Sequence, residues 1–169
     1  MKYCHNIRVI SYWLLVIGIF FLSPTPLSAQ SDIASSQEVL YTVFESGTTR
    51  VSHKIHLTNL TTTKYAAEYS LFVGFVDVKH VTAADAQGSM RVDVTTLQNG
   101  TDMYVFFNVP VVGKGNILSF TLSYETDEIA TNNGRVWEIT IPKIADSEDL
   151  TDFTATLSVP TAFGQPSFL

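Results

Sequence analysis

Apolar and polar residues alternate along most of the chain after residue 38, and this period of two predicts β-strands. The clearest example is TRVSHKIHLTN, residues 49–59, where every second residue from Val51 to Leu57 is expected to face a core. The intervening residues, from Arg50 to Thr58, are polar and predict a solvent-facing side. A Ser46-Gly47 turn separates this segment from the preceding EVLYTVFES, so the two segments predict a β-hairpin.

Seven further segments continue the alternation: AEYSLFVGFVDV, HVTAAD, SMRVDVTTL, MYVFFNVP, ILSFTLSYE, RVWEITIP and FTATLSVP. Between two of them, Asn99-Gly100 is a strong hairpin signal because these residues tolerate the positive φ of tight turns. We find no amphipathic segment of helical period long enough for a ten-residue helix. The pattern therefore predicts an all-β domain, either a sandwich or a barrel. Of the two we expect an antiparallel immunoglobulin-like β-sandwich of about eight or nine strands.

The N-terminal 29 residues predict a signal peptide. A short basic start leads into the apolar run VISYWLLVIGIFFL, whose 14 residues fall short of the roughly 20 that a membrane-spanning helix needs. Small residues favour cleavage after Ala29, although the bulky Leu27 leaves an uncleaved anchor as the alternative. The expected organisation is a signal peptide at 1–29, a flexible lead at 30–37, the β-sandwich domain at 38–160 and a C-terminal linker or tail at 161–169.

Charge and cysteine content exclude several function classes. Without residues 1–29 the chain carries 8 basic against 16 acidic side chains, a balance that opposes nucleic-acid binding and attraction to anionic lipid. The single cysteine, Cys4, lies in the signal segment. The exported chain would therefore have no disulfide, thiolate metal ligand or cysteine nucleophile. Contact with a membrane is expected only through an uncleaved signal or an anchor beyond Leu169.

The histidines do not predict a metal site. His53 and His56 are three residues apart, and on a strand an odd separation places two side chains on opposite faces, so they cannot bind one ion together. We expect His53 to be semi-buried in the sheet and His56 to face solvent. His80 stands alone near a strand end.

The densest acidic cluster is DSEDLTD, which contains Asp146, Glu148, Asp149 and Asp152. Hard oxygen ligands of this kind can bind calcium in secreted β-domains. The spacing does not match an EF-hand loop, which needs alternating acids, a central glycine and a closing glutamate. We expect a solvated, helix-capping loop, and calcium binding at Asp146–Asp152 stays open as the alternative.

Catalytic motifs are absent from the sequence. There is no G-x-S-x-G elbow, and VGKGN lacks the frame of a phosphate-binding loop, so we predict no catalytic residue, no cofactor and no enzyme activity. A glycosidase would need two carboxylates across a cleft, which sequence can neither identify nor exclude. The glycosylation sequons at Asn59 and Asn99 are interpreted as incidental. Trp137 is interpreted as a core anchor between two sheets.

Several stretches, among them HLTNLTTTKYAAEYSL, NGRVWEITIPK and VPTAFGQP, resemble the N-terminal β-domain of exported bacterial transglutaminase-like proteins. In that family the β-sandwich precedes a papain-like domain with a Cys-His-Asp triad. No residue of the triad carries over here. The resemblance implies a non-catalytic, extracytoplasmic accessory or spacer module of the cell envelope, with a downstream transglutaminase-like domain or envelope proteins as partners.

Two alternatives to this interpretation stay open. One is a free-standing secreted adhesion or ligand-binding β-domain, and the other is a small hydrolase. For an accessory module, the expected contact face is formed by polar strand positions Arg50, Lys54 and Thr58 and by the loop from Asn99 to Asp102.

Overall fold

The computed structural model describes residues 31–142, 149–165 and 167. Its ten strands are β1 (Ile33–Val43), β2 (Thr49–Asn59), β3 (Tyr65–Val73), β4 (Val78–Asp85), β5 (Gly88–Leu97), β6 (Gly100–Val112), β7 (Ile117–Thr126), β8 (Ala130–Asn132), β9 (Trp137–Ile139) and β10 (Leu150–Ser158). A 3₁₀ turn at Thr161–Phe163 follows β10. Within these described ranges there is no α-helix, and hence none long and apolar enough to cross a membrane. The prediction of an all-β domain is confirmed.

Eight strands form one curled sheet in the order β10-β1-β2-β7-β4-β5-β6-β3, and β8 pairs with β9 in a separate ribbon. The sheet curls because β5 changes partner along its length. Met90 pairs with Ala83 of β4, whereas residues from Arg91 onward pair with β6. The second half of the sheet therefore folds back over the first as a half-barrel. Its interior includes ring contacts of Phe120 with Tyr69 and Phe107 at centroid distances of 5.7 and 5.6 Å.

The predicted antiparallel immunoglobulin-like sandwich is replaced by this curled mixed sheet. The sheet is mixed because β10 runs parallel to β1, while the other described strand pairs are antiparallel. Alternation specifies which face of a strand is buried, but it carries no information on which strand lies beside it. A sandwich and a half-barrel therefore predict the same pattern along the chain.

The β1–β2 hairpin is confirmed, and the expected inward residues of β2, including Val51, Ile55 and Leu57, are buried. The expected flexible lead is wrong, because residues from Ile33 onward belong to β1. Ile33 pairs with Asn59 of β2, and the backbone N–H of the buried Ser35 donates to the Asp149 carbonyl at 2.7 Å. These partners form hydrogen bonds with the backbone of a segment whose small, polar side chains had suggested a flexible lead.

Trp137 does not sit in the core between two layers. It lies half-buried in the β8–β9 ribbon, where its ring stacks on Phe163 with a centroid distance of 4.3 Å and an interplanar angle of 7°. The opposite contact is with Gly47, where a Cβ would come within 2.8 Å of Trp137 Cζ3. Trp137 thus connects the β1–β2 turn to the segment that follows β10.

The Asn99-Gly100 hairpin is also present, but Gly100 serves a different purpose than expected. It has no positive φ and is the first residue of β6. A Cβ at this position would lie 2.3 Å from the Val73 carbonyl oxygen and 2.5 Å from the Phe72 ring. The glycine is required because β3 approaches β6 closely at this point.

We predict that Gly100→Ala lowers the free energy of unfolding by roughly 1–3 kcal/mol, the usual cost of overpacking, because the clash is with backbone that cannot rotate away. Urea denaturation at neutral pH measures this change. Gly74→Ala is the matched control, since a Cβ there meets nothing within 4 Å and the residue has no positive φ. Equal denaturation midpoints for the two variants would contradict the packing argument.

Candidate functional site

A cavity of about 500 Å³ lies where the half-barrel fails to close. One wall is the run of six consecutive residues from Tyr69 to Gly74, in and just after β3. The other lining residues come from strands β1, β2 and β7 and from the chain on either side of residues 143–148: Ser35, Gln37, Tyr41, His53, Tyr124, Pro142, Asp149 and Leu150.

The backbone edge of β3 borders this cavity. Along a strand, Tyr69, Leu71 and Val73 point to one face and Ser70 and Phe72 to the other, yet all five line the cavity. Residues from the two opposite faces of a strand can line the same cavity when the backbone edge between those faces borders it. In the described part of the chain β3 pairs only with β6, so its second edge has backbone groups without a strand partner.

A side-chain hydrogen bond spans the gap between β1 and β3. The Gln37 Nε2 donates to the Tyr69 hydroxyl at 2.8 Å. Burial raises the pKa of Tyr69 to about 12, with a smaller contribution from the negative charge of Asp149. The phenol is therefore neutral at physiological pH, and its own O–H can still donate to a molecule in the cavity.

His53 lies at the base of the cavity and is 6% exposed. Its ring stacks on Tyr124 at a centroid distance of 5.7 Å, and Nε2 is 3.5 Å from the Tyr124 hydroxyl, the limit of a hydrogen bond. Nδ1 is buried and has no hydrogen-bond partner among the described residues. Burial lowers the pKa of His53 to about 4, so the imidazole is neutral at physiological pH.

The other two histidines within the described residues lie towards the surface. His56 faces away from His53 across β2, as expected, and its Nδ1 is 2.6 Å from the Ser119 hydroxyl. His80 has a φ of 52° at a bulge in β4, and its Nδ1 contacts Glu125 at 2.8 Å. Across the described ranges, no group of three or more His, Cys, Asp or Glu residues is arranged to hold a metal ion.

The acidic cluster is only partly within the described residues. Asp146 and Glu148 lie outside them. Asp149 lines the cavity, and Asp152 is exposed on β10. The calcium hypothesis for this loop is therefore neither supported nor contradicted.

Asn59, the first residue of one of the two glycosylation sequons, has a structural role. Asn59 is fully buried, and its Nδ2 donates to the carbonyl oxygens of Lys64 and Val111 at 2.8 and 2.9 Å. Asn99 is exposed in the β5–β6 turn. These contacts assign Asn59 to holding the β2–β3 connection.

The expected polar contact face is an ion-paired sheet surface. Arg50 contacts Glu125 at 2.7 Å and Lys54 contacts Glu38 at 3.4 Å. In the expected loop from Asn99 to Asp102, Thr101 belongs to β6, and its buried hydroxyl donates to the Phe75 carbonyl at 2.7 Å. None of these residues lines the cavity.

The fold is similar to that of solved hydrolases. Yeast leukotriene A4 hydrolase in complex with bestatin matches with 15% identity and a TM-score of 0.50, over 86% of this chain and 27% of that chain. A mutant M1 zinc metallopeptidase from Deinococcus radiodurans, bound to a Tyr-Ser-Ala substrate, matches with 16% identity and a TM-score of 0.48, over 79% of this chain and 34% of that chain. The chain thus spans between a quarter and about a third of these structures. No family model and no curated protein matches it.

The resemblance to transglutaminase-like proteins is wrong. The fold is similar to that of a part of leukotriene A4 hydrolase, and no family model supports the transglutaminase assignment. The function inferred from it, an accessory module of a transglutaminase-like envelope protein, is wrong for the same reason. The quoted stretches record strand alternation, which unrelated β-domains share.

We predict that acid destabilises the protein partly through His53. Its pKa is about 4 in the folded protein, against the ordinary histidine value of 6.5 that applies to the unfolded chain, so the unfolded chain binds more protons between these values. The contribution of neutral His53 to the free energy of unfolding is therefore complete above pH 6.5. It is lost as the pH falls towards 4, by about 2 kcal/mol at pH 5.

His53→Phe should retain stability at pH 7.5 within about 1 kcal/mol, because it replaces an unpartnered polar ring by an apolar one. It should also remove most of the loss in the free energy of unfolding that His53 causes between pH 7.5 and pH 5. Urea denaturation at both pH values measures this difference. The control is His56→Gln, on the exposed face of the same strand. An unchanged pH profile in His53→Phe would contradict the assignment.

Proposed function

We propose that this chain is the non-catalytic β-domain of a peptidase-type protein and that the cavity beside β3 is its ligand-binding site. The likeness to leukotriene A4 hydrolase, at a TM-score of 0.50, supports the first half of this proposal. The second half is carried by one observation, the cavity of about 500 Å³ between a wall of buried aromatic side chains and the edge of β3 that no described strand pairs with.

The lining of the cavity favours binding of a molecule that is mostly apolar and has a few hydrogen-bonding groups. Its volume falls in the usual range of ligand sites, which are apolar spaces with a small number of placed polar groups. Leu71, Val73 and Leu150 contribute apolar surface, and the Tyr69 hydroxyl and His53 ring contribute polarity. The Gln37–Tyr69 hydrogen bond holds one of these polar groups in place.

The electrostatics of the cavity favour binding over catalysis. A histidine with a pKa of about 4 is a weak base at neutral pH, far from the value that suits a general base. Tyr69, with its pKa raised to about 12, is a poor acid for the same reason. Any catalysis in such a protein would then fall to residues outside this cavity.

We further propose that the protein is exported, on the basis of the apolar run at residues 9–22. Secretion from a bacterial host followed by N-terminal sequencing tests this. A mature protein that begins at Gln30 is the expected result. Retention of the full chain inside the cell would contradict export.

We predict that Leu71→Trp blocks the cavity. The purified protein should bind N-phenyl-1-naphthylamine, a neutral apolar dye, with saturable one-to-one stoichiometry in a fluorescence titration. Because the indole fills space next to the edge of β3, the variant should bind the dye at least about tenfold more weakly, a loss of roughly 1.4 kcal/mol.

Leu40→Trp is the matched control, since Leu40 is 43% exposed on β1 and does not line the cavity. It should bind the dye as the unmodified protein does. Absence of saturable binding, or equal weakening in the two variants, would count against the cavity as a ligand site.

A further inference from the structure

We propose that the ligand of this cavity is an extended peptide segment of another molecule, which pairs with the free edge of β3 as an added strand. This inference rests on the proposed function, because it names the ligand class of the same cavity. It is carried by the position of the β3 backbone and by the nature of the opposite wall.

The β3 edge presents a regular row of backbone donors and acceptors. On one edge of a strand these groups repeat every two residues, or about 6.7 Å. Six consecutive residues, from Tyr69 to Gly74, line the cavity and span about 17 Å. A compact small molecule cannot match such a row, whereas an extended peptide has the same repeat. An extended segment of up to six residues therefore matches the length of this edge.

Strand β1, on the opposite wall of the cavity, has no free edge with which an extended peptide could pair. Strand β1 already pairs with β2 on one side and with β10 on the other, so it offers side chains to the cavity and no free backbone edge. Of these side chains, Tyr41 is buried together with His53 and Tyr124 at the base. A peptide paired with β3 would thus direct every second side chain towards an aromatic surface, which favours an apolar residue there.

The test uses displacement of N-phenyl-1-naphthylamine by the peptide Val-Thr-Val-Thr amide with a free amino terminus. Two N-methylated forms separate strand pairing from simple apolar contact. One is methylated at residues 2 and 4, and the other at residue 3, so that each removes N–H donors from one edge of the peptide. In strand addition one form should lose affinity by about tenfold or more, as expected for buried hydrogen bonds left unmade, while the other stays within about threefold of the parent.

Amide hydrogen exchange locates the contact. Bound peptide should slow exchange in the Ser70–Val73 stretch, whereas the amides of β10, the other edge of the sheet, should be unaffected.

Three results would overturn strand addition. They are dye binding without displacement by the peptide, equal affinities of the two methylated forms, and protection on β10 in place of β3. In each case the dye still binds, so the proposed function stands while the ligand class fails. Loss of dye binding itself would remove both proposals.

Discussion

The half-barrel depends on the change of partner within strand β5. The strand begins against β4 at Met90 and continues against β6 from Arg91, so a single sheet supplies both layers of the core. This corner returns β3 to a position above β1 and β7, where Tyr69 contacts Phe120 and Gln37. A sheet that curls in this way without closing must leave a seam between its two halves. The cavity is that seam.

Hydrogen bonding inside the protein separates two buried side-chain atoms from the other buried polar groups. The Thr101 hydroxyl and the Asn59 amide, which are fully buried, have partners in neighbouring backbone carbonyls. By contrast, Nδ1 of His53 and Oδ2 of Asp85 are the buried side-chain polar atoms without a partner in the described residues. An unpartnered buried polar atom costs stability, and in His53 that atom belongs to a ring that lines the cavity. Its neutral state follows from the same burial, which lowers its pKa to about 4.

The sequence predicted local features well and long-range ones poorly. The faces of β2 followed from alternation alone, and with them the opposite placement of His53 and His56. Tyr69 lies in a segment that was predicted to be a strand, yet its partner Gln37 was assigned to a flexible lead. These two residues are 32 positions apart, and only the curl of the sheet brings them together. The parallel pairing of β10 with β1 likewise has no local signature, because a free and a paired strand alternate in the same way.

The two edges of the sheet are protected in different ways, and this difference bears on what can bind. The outer edge, β10, is rich in threonine and carries Asp152, which suits a strand exposed to solvent. In β3 the run from Ser70 to Val73 has no charge and includes Leu71 and Phe72, a composition that would invite aggregation on an open edge. Its free edge instead faces a cavity of limited width. Such an edge can pair with one extended segment, but the cavity leaves no room for it to pair with the edge of another sheet. The apolar character of β3 is therefore compatible with a specific peptide site.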